Sequence, residues 1–201
     1  MKPNREMIKQ SSHSINESYR FSVAPMMDYT DKHYRVMMRQ ITKRALLYTE
    51  MVVAKALYHS QKINHLLDYN EIEHPISLQI GGDNPKHLIK ASKLAKEWGY
   101  DEINLNIGCP SQRVQSGNFG ACMMADPDLV CRCIEAMINA TDLPVTIKHR
   151  IGIDELDSNE LLLKFVDQVA SIGVSRFSIH ARKAWLKGLN PKQNREIPPL
   201  E

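Results

Sequence analysis

With 201 residues, 43% of them hydrophobic and 24% charged, the chain is long enough for one domain with a real core and short for two. No run of 18 apolar residues occurs, which excludes a membrane-spanning helix, and a formal net charge of +3 is too small for a global field that would hold nucleic acid. The four cysteines, Cys109, Cys122, Cys131 and Cys133, include no CxxC pair, so the chain is expected to carry no disulfide scaffold and no metal centre, and to work in a reducing, cytoplasmic compartment.

The polar stretch 1–20 lacks the apolar segment of a secretory signal and reads as a flexible leader, leaving 21–201 as the folded domain. Residues 21–25 (FSVAP) read as a buried strand that exits at a proline. A helix follows from about Asp31 to Ile41, capped by Thr30 or Asp31. Residues 46–50 form a second strand, with a helical or irregular segment after it. Residues 76–82 form a third, and the next helix is capped by Asp83 or Asn84, opened by Pro85 and ended by Gly99. The fourth strand, 102–108, leads into a loop of small and polar residues, 109–120. Asp126 and Pro127 then begin a helix that runs to about Ala140. A fifth strand (144–150), a helix from Ser158 to Ile172 and a sixth strand (176–182) complete the pattern.

Strand and helix alternate throughout, so the fold class is α/β, a parallel sheet covered by helices. The open doubly wound sheet and the (β/α)8 TIM-barrel both fit that alternation. Gln79, Asn104, Asn106, Lys148, His149 and His180 lie in strands or at their C-terminal ends, where a barrel gathers its active site. No GxGxxG follows the first strand, which counts against the doubly wound alternative. Six β/α units against the eight strands and ~250 residues of a full barrel point to an incomplete one, lacking its last strands.

Cys109, at the start of the loop after the fourth strand, is suited to act as a nucleophile or proton donor, or else to pack as a small hydrophobe. Lys148 points either into the barrel mouth, to form a Schiff base or to meet an anionic group, or outward. His180 suits a cofactor phosphate, a substrate or a structural role, and Gln79 suits the edge of a planar heterocycle. Arg182, Lys183, Lys187, Lys192 and Arg195 surround Trp185 within 14 residues. Such a segment grips a phosphate backbone and stacks a base, or is a solvated loop.

The motifs VAPMMDYTD, LLYTEMV, LQIGG, YDEINLNIGCP, GNFGACMM, VTIKHRIGID and HARKAWLKGLNPKQNREIPPL stand in an order that resembles the tRNA-dihydrouridine synthases, and the last resembles their bacterial A subfamily. The resemblance implies an FMN-binding barrel followed by a helical tRNA-binding domain. It implies that NADPH reduces FMN, which then reduces the C5–C6 bond of D-loop uridines 20 and 20a in tRNA. On that resemblance Cys109 is the general acid at uridine C5. Pro25, Met26 and Met27 pack on the isoalloxazine ring, and Gln79, Lys148 and His180 contact FMN. Asn106 meets the uridine, and Lys192 and Arg195 meet the tRNA. The family's phosphate-binding glycines on a seventh and eighth strand have no counterpart here, so the chain is expected to be a C-terminally truncated member. The alternatives are a non-catalytic remnant and an FMN barrel acting on a free pyrimidine.

Overall fold

The computed structural model describes residues 20–201, so the leader expected over 1–20 lies, but for Arg20, outside the described residues. In chain order the elements are β1 (Ser22–Val23), α1 (Lys32–Ile41), β2 (Leu46–Tyr48), β3 (Val52–Val53), α2 (Ala54–His59), α3 (Asn64–Leu67), β4 (Ile76–Gly81) and α4 (Pro85–Trp98). They continue with β5 (Glu102–Ile107), α5 (Gln112–Gln115), α6 (Pro127–Ile138), β6 (Val145–Arg150), α7 (Asn159–Ala170), β7 (Arg176–His180) and α8 (Gln193–Glu196). All strand pairings are parallel, in the order β1-β2-β4-β5-β6-β7, with β3 beside the upper end of β4. This is the arc of an incomplete (β/α)8 barrel.

Local chemistry sets most boundaries. The side chain of Asp31 accepts from the Tyr34 amide, Asn84 from Lys86, Asp126 from Leu129 and Ser158 from Leu161. Each therefore satisfies an amide that a helix start leaves open. Gly99 ends α4 at φ 84°, a left-handed conformation that costs other residues more. The structure adds short elements absent from the sequence reading, α3 and α8 among them, and β1 is short and not buried. The segment after Tyr48 gives the extra strand β3, because β-branched Val52 and Val53 align with Ile80 and Gly81. The 109–120 loop contains the short helix α5, capped by Ser111.

Strand alternation divides the sheet into two chemically different faces. Ile76, Leu78, Ile80, Ile103, Leu105, Ile107, Val145 and Ile147 are fully or almost fully buried and form the core with Leu88, Ala91, Ala95, Val130, Ile134 and Val169 of the covering helices. The opposite face is polar, carrying Ser77, Gln79, Glu102, Asn104, Thr146 and Arg176 in register across β4 to β7. Glu102 has no exposure. Its carboxylate accepts from Tyr48 Oη (3.2 Å), Ser77 Oγ (2.9 Å), Thr146 Oγ1 (2.8 Å) and Arg176 Nη2 (2.7 and 2.9 Å). Burial, and next the Glu102 charge, push the Tyr48 phenol up to about 12, so it stays a donor.

Removing one member of a buried ion pair leaves the other charge uncompensated. Glu102→Ala is therefore expected to lower unfolding free energy by about 3–5 kcal/mol in urea melts, and Glu102→Gln, which keeps some acceptors, by less. A Glu102→Ala midpoint equal to that of the parent chain would contradict this.

Candidate functional site

In a parallel barrel all strands end at one rim, and here β5 ends at Ile107, two residues before Cys109. Asn106 is the hinge of that turn. Its Oδ1 accepts from the Gly108 amide (3.0 Å) and the Cys109 amide (2.9 Å), while its Nδ2 donates to Gln79 Oε1 (2.9 Å). The Cys109 carbonyl accepts from the Ala121 amide (2.9 Å). Gly120, at φ 78°, lies so close that a Cβ would come within 2.6 Å of that carbonyl. The backbone of Cys109 is thus held from both sides. Its thiol is half-buried against the core and lies 3.6 Å from Ser111 Oγ, so the residue is neither fully packed nor fully free.

Gln79 is only 1% exposed and has both ends of its amide engaged, Nε2 donating to Asn104 Oδ1 at 2.9 Å. Asn104 Nδ2 donates in turn to Thr146 Oγ1 (2.8 Å). A polar ladder therefore climbs from Glu102 through Thr146, Asn104 and Gln79 to Asn106, and so to the Cys109 backbone. The geometry makes Gln79 a residue that fixes Asn106, with little of its edge left to present.

Next to the ladder stands a group of cations. Lys148 is half-buried, lies beside Asn106 and Ser178 in register, and no hydrogen bond holds its ammonium among the described residues. Burial lowers its pKa, Arg150 lowers it further, and Cys109 opposes the shift. Arg150, which the sequence reading passes over, is 3% exposed and pairs in register with His180. Its Nε donates to Gly108 O (3.2 Å), and its Nη1 donates to Lys183 O (3.3 Å) and Asn194 O (3.0 Å). It ties the Cys109 turn to the basic segment after β7. Burial brings Arg150 down to about 10. His180 falls to about 4 through burial, then Arg150, Lys148, Arg182 and Arg195. Arg150, Lys148, Arg182 and Arg195 thus concentrate positive charge around the His180 imidazole.

The basic segment is built and not loose. Asn194, with no exposure, accepts from the Trp185 amide at 2.8 Å and donates to the carbonyls of Trp185, Leu189 and Asn190. Gln115 Nε2 donates to Pro110 O and Leu186 O, both at 2.8 Å, joining this segment to the Cys109 loop. Lys183 is spoken for, bonded to Asp157 at 2.6 Å and lying 4.1 Å from the Trp185 ring centre. Arg182 donates to Pro198 O. Lys187, Lys192 and Arg195 are exposed. At the opposite edge of the sheet, after β1, Met26 and Met27 are 38% and 51% exposed. Their turn is closed by Thr30, whose amide donates to Met26 O at 2.9 Å and whose carbonyl accepts from Arg35 at 2.7 Å. Pro25 is half-buried at its start. No group of three or more metal-binding side chains occurs among the described residues, and no described helix is long and apolar enough to cross a membrane.

The family profile for Dihydrouridine synthase (Dus) matches residues 22–201. A Synechocystis sp. protein named tRNA-dihydrouridine(20/20a) synthase is 59% identical over 179 residues, 89% of this chain and 53% of that protein. Proteins of the same name from Shewanella oneidensis and Vibrio parahaemolyticus are 57% and 58% identical over 188 residues. These alignments cover 94% and 93% of this chain, and 56% and 57% of those proteins. The chain spans about half the length of the curated relatives it matches.

A histidine whose folded pKa is depressed stabilises the fold above its unfolded value of roughly 6.5 and loses that contribution as pH falls toward its folded value. His180 is therefore expected to stay neutral through pH 6 and to protonate near about 4 in an NMR titration, with stability falling across that window. Arg182→Ala should raise the midpoint. A midpoint at the ordinary histidine value would contradict the cation cluster.

Proposed function

We propose a reaction from one established premise: the chain belongs to the dihydrouridine synthase family. The reaction is FMN-dependent reduction of a uridine C5–C6 bond in tRNA with electrons from NADPH. The targets are D-loop positions 20 and 20a, as in the names of the relatives. The observation that carries it is the backbone-pinned Cys109 at the rim, beside a cation cluster that includes Lys148, whose ammonium no hydrogen bond holds among the described residues.

The residues present fit an anionic, planar cofactor with an apolar face. Met26 and Met27 leave apolar side chains uncovered, and with Pro25 they would cover the ring. Lys148 would face its polar, charge-bearing edge, where a fixed cation in a low-dielectric site stabilises developing negative charge. His180 would contact it as a neutral donor or acceptor. When bound, the flavin supplies the hydride that reaches C6 of the uridine.

The chain's own part is the proton. Attack at C6 builds charge at C5, and an acid held opposite relieves it. Cys109 would give its thiol proton to C5, and the Asn106–Gln79 link would keep the donor in place. Asn106 has its side chain committed to this turn, so its contact with the uridine would use what remains of its amide. Lys192 and Arg195, exposed on the basic segment, would meet the tRNA backbone, and the target base must leave its stack to reach the mouth. A free pyrimidine has no use for these exposed cations, which favours tRNA over that alternative. A tRNA substrate also implies a cytoplasmic location.

General acid catalysis contributes on the order of 10²–10⁴ in rate. Cys109→Ala is expected to keep flavin binding and NADPH oxidation while dihydrouridine formation, read by mass spectrometry of digested tRNA, falls by at least about 100-fold. Reduction of tRNA at a rate within a few-fold of the parent would remove Cys109 from the acid role.

A further inference from the structure

We infer that the flank of the rim formed by α2 and α4 is a second RNA-binding surface, one that takes a phosphate backbone and stacks a base on Tyr58. It rests on the tRNA substrate proposed above. Helix α2 begins directly after β3, whose Val53 lies beside Gly81, and α4 begins four residues after Gly81. Both helices therefore start at the rim that carries Cys109, on the side of β5 away from the basic segment that follows β7.

Three rings meet there. The Tyr58 and His87 centres are 4.5 Å apart, Tyr58 and His59 5.0 Å, and His59 and His87 5.5 Å. Tyr58 is 39% exposed, and Lys55, His59 and Lys86 are exposed beside it. Lys90 Nζ donates to Tyr58 O at 2.9 Å and lies 5.6 Å from its ring centre. Helix α4 has no acidic residue in its first turn, although a helix start favours negative charge. Asp83 is the carboxylate felt by His87, and His59 and Lys55 outweigh it. Burial first, then these two neighbours, holds His87 below the usual histidine range. Like charges crowded around exposed rings, with no acidic side chain paired to Lys55 or Lys86 among the described residues, match the composition that tracks phosphates and stacks bases.

The test is fluorescence anisotropy of a labelled, unmodified tRNA transcript with the full 201-residue chain, across 50–200 mM salt. Lys55→Ala/Lys86→Ala is expected to weaken binding about tenfold at low salt and to flatten the salt dependence by about 2 in log–log slope. Tyr58→Ala should weaken it about fivefold with the slope unchanged, since stacking releases no counterions. Lys43→Ala, exposed ahead of β2 at the opposite end of the sheet, should change neither. Binding within twofold of the parent at unchanged slope in the double variant would overturn the surface, as would a chain that binds no transcript. Displacement of the transcript by poly-glutamate at equal charge would reassign it to an acidic protein. A chain that reduces uridine with a neutral double variant keeps the proposed reaction and loses this surface. A chain whose RNA binding depends on these lysines but which reduces no uridine keeps the surface and loses the reaction.

Discussion

A carboxylate with no access to water must be answered by donors from several directions. For Glu102 of β5 those donors come from β2, β4, β6 and β7, through Tyr48, Ser77, Thr146 and Arg176. Strands that are far apart in sequence are thereby fixed in one register. The pairs of residues that follow upward along the same face then fall at matching heights, which is why Gln79, Asn104 and Asn106 meet at hydrogen-bond distance. Slipping one strand by a single residue would turn its polar set into the helix-packed core and its apolar set toward the mouth.

The same constraint reaches the rim that carries Cys109. Asn106 closes the ladder and holds the Cys109 amide, and Arg150 joins Gly108 to Lys183 and Asn194. The turn that carries the thiol and the segment that carries Lys192 and Arg195 are therefore one mechanical unit, reinforced by Gln115 between Pro110 and Leu186. A polar interior face in a barrel gives up the free energy of an apolar core there. What it provides is a set of oriented dipoles and charges that need no rearrangement when a charged ligand arrives.

Much of this is legible in the sequence, because its signals are local. Helix starts at Asp31, Asn84, Asp126 and Ser158 announce themselves by cap chemistry, and the alternating strand-and-helix order gives the barrel class. Cys109 stands out because a glycine and a proline flank it in a polar loop. The long-range links do not show. Glu102 and Arg176 are 74 residues apart, and nothing in either strand marks the pair. Gln79 reads as a residue presented to a ligand because its burial depends on neighbours from β5. Arg150 had a readable signal, since alternation along VTIKHR puts it on the face of Thr146 and Lys148. A charged residue at a strand end nevertheless also reads as the chain's exit to solvent. Asn194 lies in a stretch with loop chemistry, and only the fold of that stretch onto itself buries it.

In the proposed reaction Lys148, Arg150 and the neutral His180, together with the exposed Met26 and Met27, would hold a flavin beside Cys109. The most direct measurement is the visible absorption spectrum of the purified chain after incubation with FMN and gel filtration. The flavin band is expected to co-elute with the protein. A flavin that elutes wholly in the small-molecule volume would contradict it.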